Sequence, residues 1–406
     1  MHRESIISGY SSYLPFAGSS AQVITNLKQG ERVSVLPWFN SDEQAIKYGF
    51  ARNIFSAKLE SVGDSDFSLL YQLIGEALAQ AGLKEDSLKE NNVRVYMTGI
   101  GPRVDVVDYR GFYNYNDMED INLTPSITNL CVANMSQDSI SYHLANKYGL
   151  TYLPPNMNCT SNSSLVAVHL SSQAIEQGGI ELALIINISK VTLQDMWFLE
   201  NQSMLDSKIA QPFGVNSKGV MFSEGYSVML LESSQHRKAR GLSYGVSIKS
   251  AYKQINAGRG NDAYWQSTNI YKLINKVLNE TGVKVEDLCA LIPHGNGAAF
   301  SDSVEAKVIS MLVGEQSLPV LAYKGQIGYT ATGSGLVDLI IGHYSLVNGE
   351  LIMPISNDSI MENIAPHVLI GPGVKKHDKI HLLKTGLGVD GSVIAIILTN
   401  MDRRGD

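Results

Sequence analysis

Three stretches of the chain carry side chains suited to covalent or acid–base chemistry. The first, Met157-Asn-Cys-Thr-Ser-Asn-Ser-Ser-Leu-Val-Ala-Val-His-Leu, sets a thiol and several hydroxyls immediately ahead of an apolar run. A helix starting there turns free N–H groups and a positive dipole end toward them, which favours a thiolate or a developing oxyanion. The second, Ala290-Leu-Ile-Pro-His-Gly-Asn-Gly, ends an apolar strand in His294 and is followed by Ser301-Asp-Ser-Val-Glu-Ala. The third is Tyr323-Lys-Gly-Gln-Ile-Gly-Tyr-Thr. A serine with a histidine as proton acceptor runs acyl transfer or thioester hydrolysis. Each residue type also has a plainer use. Serine caps helices, an isolated histidine packs or sits at the surface, and a lysine is solvated.

The elements that must position these residues are written twice. Residues 71–88 read YQLIGEALAQAGLKEDSL and residues 271–288 read YKLINKVLNETGVKVEDL. Tyr71, Leu73, Ile74, Leu78, Gly82, Lys84 and Leu88 match Tyr271, Leu273, Ile274, Leu278, Gly282, Lys284 and Leu288. The apolar positions follow helical spacing, and both glycines sit where a helix C-cap glycine belongs. An apolar strand ending in Gly-x-Gly follows each copy, at Val93 to Gly101 and Leu288 to Gly297. A second pair is in the same order. Helices opening at Leu165-Val166 and Leu336-Val337 close at Gly178 and Gly349, before strands at 181–188 and 351–355. Alternating strands and helices predict a mainly parallel sheet covered on both faces, and two copies predict two sheets about a pseudo-twofold axis. The halves are expected at 1–235 and 236–406, with residues 104–124 as an insertion or cap.

Composition narrows the class. The chain has 406 residues, 44% hydrophobic and 17% charged, with a net charge of −7 and no basic run. That profile excludes a nucleic-acid partner. Only Cys131, Cys159 and Cys289 are present, an odd number without metal-ligand spacing, so no metal site or disulfide framework is expected. The start of the sequence does not read as a signal peptide. No apolar run reaches the roughly 20 residues of a membrane helix. The longest, Gly335 to Val347, is broken by Asp338 and His343 and reads as a buried helix. A cytoplasmic chain without membrane contact is the expectation.

In this order the motifs resemble those of the β-ketoacyl synthases. The 157–170 stretch resembles the family's Thr-Ala-Cys-Ser-Ser-Ser-Leu-x-Ala elbow, and in register the family cysteine falls on Ser161, two positions after Cys159. The His294 stretch with Asp302 and Glu305 resembles Glu-Ala-His-Gly-Thr-Gly-Thr…Gly-Asp-x-x-Glu-Ala. The third stretch resembles Lys-x-x-x-Gly-His, keeping Lys324 and placing Tyr329 where the second histidine stands. Ser223-Glu224-Gly225 with Leu231-Glu232 resembles Gly-Glu-Gly-Ala…Val-Leu-Glu. Gly386-Leu-Gly-Val-Asp-Gly-Ser takes the place of Gly-Phe-Gly-Gly-Thr-Asn, putting Leu387 at the gate whose amide forms half the oxyanion hole.

The resemblance implies an α/β, thiolase-like fold: duplicated βαβαβαββ halves in a five-layered α-β-α-β-α sandwich. It also implies a Lys324–Glu305 ion pair and no cofactor. A working condensing enzyme needs a nucleophile, donors to the malonyl enolate and an oxyanion hole. A serine hydroxyl stays protonated without a base, and a tyrosine does not reproduce the geometry of an imidazole. Residues that act as a unit fail as a unit. The resemblance therefore points to a catalytically silent partner subunit, such as the chain length factor of a type II polyketide synthase. Its partners are an intact cysteine-bearing ketosynthase and an acyl carrier protein. The usual glutamine at the nucleophile position is absent, and an aryl-polyene partner subunit would show similar losses. Val106, Tyr109 and Phe112 are the tunnel-depth candidates. The rival reading is a Ser161–His294 acyltransferase or thioester hydrolase, and a third is a decarboxylase-like priming subunit.

Overall fold

The computed structural model describes residues 3–59, 66–101, 137–205, 210–255, 262–314 and 316–403. The expected cap at 104–124, with Val106, Tyr109 and Phe112, lies outside the described residues, as does Cys131.

Helix α1 (Asp66–Gln80) buries Leu70, Leu73, Ile74, Ala77 and Leu78 on one stripe. Its counterpart is α4 (Ala263–Thr281), which buries Ile270, Leu273, Ile274, Val277 and Leu278. Full burial of one such side chain is worth about 2 kcal/mol, so the stripe rather than intrinsic propensity fixes each helix. Both end in the same left-handed glycine cap. Gly82 has φ +66° and Gly282 φ +68°, and the next amides, Leu83 and Val283, return to the Leu78 and Leu278 carbonyls at 2.9 and 3.1 Å.

The strands repeat as well. The first set is β1 (Ser5–Tyr13), β2 (Val93–Gly99), β3 (Asn156–Met157), β4 (Leu182–Ser189) and β5 (Gly225–Ser233). The second opens with β6 (Val246–Gln254) and β7 (Leu288–Ile292). A separate ladder of β8 (Glu350–Ile352) and β9 (Val374–Lys376) precedes β10 (His381–Leu387) and β11 (Ser392–Asn400). The sheet order is β3-β2-β4-β5-β1-β6-β11-β10-β7. Read outward from its centre, each half runs first strand, last strand, next-to-last strand, second strand. Every residue of β4, β5 and β11 is buried, as a sheet covered on both faces requires.

Three expectations are corrected here. The sheets are mixed rather than mainly parallel: β2 pairs β3 and β4 in parallel and β10 pairs β7 in parallel, while the other neighbours are antiparallel. The last two strands of each half are consecutive and adjacent, with no crossover that would set them parallel. The two sheets are also joined, because Ser5, Ile6 and Ile7 of β1 pair with Ile248, Ser247 and Val246 of β6. Finally, the strand expected at 351–355 is short and lies outside the main sheet, and β10 fills the place equivalent to β4. Pro354 lacks the N–H that would continue the β8 ladder.

Five layers result. Helices α1 and α2 (Gln137–Tyr148) cover the first set of strands in one core. Helix α4 and α5 (Ala299–Val313) cover the second set in another. Between them α3 (Ser163–Glu176) and α6 (Ser334–Asn348) share a central core with both. The crossing of α3 and α6 is tight at Gly335, where an added Cβ would come within 2.3 Å of Leu165 Cγ. Overpacking there costs about 2 kcal/mol, and the gain of up to about 1 kcal/mol in helix propensity offsets only part of it. Gly335→Ala is therefore expected to lower the urea-denaturation midpoint, whereas an unchanged midpoint would show that the crossing relaxes freely. Among the described residues no helix is long and apolar enough to cross a membrane.

Candidate functional site

The Ser161 turn enters α3 through a strained residue. Thr160 has φ +45°, a left-handed conformation that is costly for a β-branched side chain. Ser161 is half-buried and is not the helix cap. Asn162 holds that position, and its amide Nδ2 donates instead to Ser392 O and Oγ, both at 2.9 Å. Thr160 Oγ1 donates to Asp390 Oδ1 at 3.0 Å, and Ser392 Oγ donates to the same oxygen at 2.7 Å. The β10–β11 hairpin is thus fastened to the Ser161 turn from the opposite half of the chain. Burial raises the Cys159 thiol, with Asp390 adding to the effect, so this cysteine is no ready thiolate.

Leu387, the gate position, ends β10 and is half-buried. Gly388 N donates to Ser392 O at 2.8 Å, which makes Leu387–Val393 a non-hydrogen-bonded pair in the ladder. The Leu387 amide consequently points away from β11, beyond the last β10–β7 pair, Lys384–Ile292.

His294 lies just past β7 and is buried. The turn around it is held from behind by two carboxylates of α5. Glu305 Oε1 and Oε2 accept from the His294 and Gly295 amides at 2.8 Å each, and Oε1 also accepts from Thr385 Oγ1 at 2.7 Å. Asp302 accepts from the Asn296, Gly297 and Phe213 amides at 3.2, 3.1 and 2.7 Å. Burial raises Asp302 to about 7, although those amides pull the other way. Burial also holds the His294 imidazole well below its ordinary range, with the Lys324 and Lys384 ammoniums adding to the effect, so the ring is neutral.

The expected Lys324–Glu305 ion pair does not form. Lys324 opens a short buried helix, Lys324–Ile327, and its Nζ donates to His294 O at 2.5 Å and to Asp338 Oδ2 at 3.0 Å. Glu305 is already occupied by two amides and a hydroxyl, while Asp338 on α6 presents a buried carboxylate to Lys324. Lys384 of β10 meets the same Asp338 oxygen at 2.6 Å and donates to Pro293 O at 3.0 Å. Neither Asp338 nor Lys384 was singled out from sequence as a site residue. The only signal was a charge inside an apolar helix or strand.

Tyr329 is brought to Ser161. Its amide donates to Met221 O at 2.9 Å and its carbonyl accepts from Ser223 N at 3.0 Å, which docks the residue against the first half. The ring stacks on Phe222, with centroids 5.8 Å apart, and stands edge-on to His294, also at 5.8 Å. The Tyr329 hydroxyl donates to Ser161 Oγ. Burial pushes this phenol up to about 12 against the pull of its Ser161 and Asn296 hydrogen bonds, so at neutral pH it is a donor and not a base. Glu224 stands apart from the chemistry: its carboxylate accepts from the Leu59 and Val191 amides at 3.0 and 3.3 Å and ties three loops together.

This architecture is that of the thiolase-like ketosynthases. Residues 46–237 match the family model of the β-ketoacyl synthase N-terminal domain and residues 246–357 that of the C-terminal domain. The chain belongs to the β-ketoacyl synthase family. A curated relative, erythronolide synthase EryA2 of Saccharopolyspora erythraea, is 23% identical over 330 residues, 79% of this chain but 9% of that protein. Polyketide synthase ThaG of Burkholderia thailandensis is 24% identical over 317 residues, 74% of this chain and 5% of its own length. The chain therefore spans only a small part of these relatives. Among solved structures, the ishigamide ketosynthase/chain length factor superposes with a TM-score of 0.80 at 16% identity, covering 98% of this chain and 100% of that one. The type II ketosynthase AntDE, solved with its acyl carrier protein AntF and bound to the hexaketide, gives 0.79 at 16% identity over 99% and 100%. At these identities the structural likeness establishes the fold alone.

Proposed function

We propose that this chain is a non-condensing ketosynthase-like subunit, a chain length factor, with no condensing activity of its own. It pairs with an intact cysteine-bearing ketosynthase and completes the elongation tunnel in acyl-carrier-protein-dependent polyketide or polyene biosynthesis. The observation that carries this reading is the hydrogen bond from Tyr329 to Ser161. A hydroxyl that accepts from a phenol with a pKa of about 12 has no base beside it on that side. The phenol also occupies the place where the second histidine of a condensing enzyme would donate to a thioester carbonyl. Among the described residues the turns around it are held by the Asp302 and Glu305 supports and by the hairpin latch at Asp390, which fits a subunit kept for packing and assembly. Residues 1–235 and 236–406 are its two halves. The solved ketosynthase/chain length factor and ketosynthase–carrier complexes support the class of partner.

The test is co-purification with a cysteine-bearing homologue, followed by intact-protein mass spectrometry after incubation with an acyl carrier protein charged with an acyl chain. Acyl mass is expected on the partner's cysteine and not on this chain, and Ser161→Ala in the complex is expected to leave product formation unchanged. A stable homodimer that becomes acylated on Ser161 would establish the serine acyltransferase instead.

A further inference from the structure

We propose that Lys384 is a positioning residue for His294: anchored by Asp338, its ammonium grips the Pro293 carbonyl and sets a second positive charge beside the His294 turn. Lys384 is a charge in an apolar strand. The segment His381-Leu-Leu-Lys-Thr-Gly-Leu is a central strand whose middle five residues are all buried, and the Lys384 side chain is only 1% exposed. Removing an ammonium from water costs several kcal/mol, even after relaxation. Neutralising Asp338 does not require it, since Lys324 already makes that pair at 3.0 Å. An apolar residue of similar length would fill the same space without the penalty. What Lys384 adds is specific to the turn beside it.

Two consecutive carbonyls, Pro293 O and His294 O, are each held by one lysine, at 3.0 and 2.5 Å. Both lysines hang from a single carboxylate, so the peptide leading into Gly295 (φ +33°) is fixed at two adjacent points. The titratable groups around the His294 turn are Lys324 and Lys384 on its carbonyls, Tyr329 against the ring, Glu305 and Asp302 on the amides of residues 294–297, and Asp338, which holds both lysines. Of these, the two lysines act on the imidazole in the same sense, against taking a proton. The histidine is thereby kept as a neutral hydrogen-bonding group at a set orientation. This holds whether or not Ser161 is ever acylated, so it stands independently of the proposed function.

The test is an NMR titration of the folded full chain with its histidines labelled at Cε1, the His294 signal being assigned by its loss in His294→Asn. In the parent chain the signal is expected to stay flat from about pH 7 to about pH 5, a range in which an ordinary histidine titrates and which lies below the value of about 8 to which burial lowers Lys384. Lys384→Met leaves burial and the Lys324–Asp338 pair in place and is expected to shift the His294 titration upward, so that its foot enters the acid end of that window, and Lys384→Arg to restore the flat profile. Lys384→Gln serves as a second neutral variant should the methionine variant misfold. A flat profile in a folded neutral variant overturns the proposal. So does loss of the fold in both neutral variants, because the lysine would then be structural.

Discussion

A Ser161→Cys, Tyr329→His double variant takes up acyl groups from an acyl thioester at least about 100-fold faster than the parent chain, since one such donor is typically worth 100- to 1,000-fold. A thiol at the head of α3 is a few per cent ionised at neutral pH and more so at a helix N-terminus, whereas the serine hydroxyl is not ionised at all. Cysteine alone is expected to recover only part of the rate. Tyr329 would still point its proton at the sulfur, and its phenol, raised to about 12, takes no proton in return. Acyl uptake followed by intact mass would decide the matter. Equal rates for Ser161→Cys and the double variant would show that Tyr329 is no obstacle, and a parent chain already acylated at that rate would show that the serine is a true nucleophile.

The second large effect concerns stability. Asp338→Asn is expected to cost about 3–5 kcal/mol, the usual consequence of removing one partner from a buried ion pair. Here it strands two ammoniums whose side chains are only 5% and 1% exposed. Changing Lys324 and Lys384 to methionine in that background removes the orphaned charges and is expected to recover much of the loss. Denaturant titration of the three chains measures both. A single Asp338→Asn substitution that leaves the midpoint in place would mean that water reaches the cluster.

Those two sites mark where the sequence was legible. The duplicated helix was readable because its stripe and its glycine cap are local devices: Gly82 and Gly282 sit at φ +66° and +68° for the reason their position suggested. Ser161, Tyr329, His294 and Lys324 lie together, linked by the Tyr329–Ser161 hydrogen bond, the Tyr329–His294 ring contact and the bond from Lys324 to the His294 carbonyl. The ion-pair partner of Lys324 was not readable, because a lysine declares its charge but not which of several carboxylates the backbone has left free. Glu305 spends its oxygens on amides that have no side-chain signature. Asp338 and Lys384 read as interruptions in apolar runs until the fold set them side by side. The strand expected at 351–355 was misplaced because pattern identifies a strand, not the ladder it joins.

The short junction between β1 and β6 has a consequence for how the chain can be threaded. Ile248 lies between Ser5 on one side and Leu398 on the other, so the start of β1 and the end of β11 are about 10 Å apart, two strand spacings. A flexible linker of about five residues reaches that far. Joining the chain there and opening it between Ser233 and Val246 would interchange the order of the two halves while leaving every strand pairing and the Ser161–Tyr329 contact as they are. On that geometry the halves would be interchangeable in order though not in content.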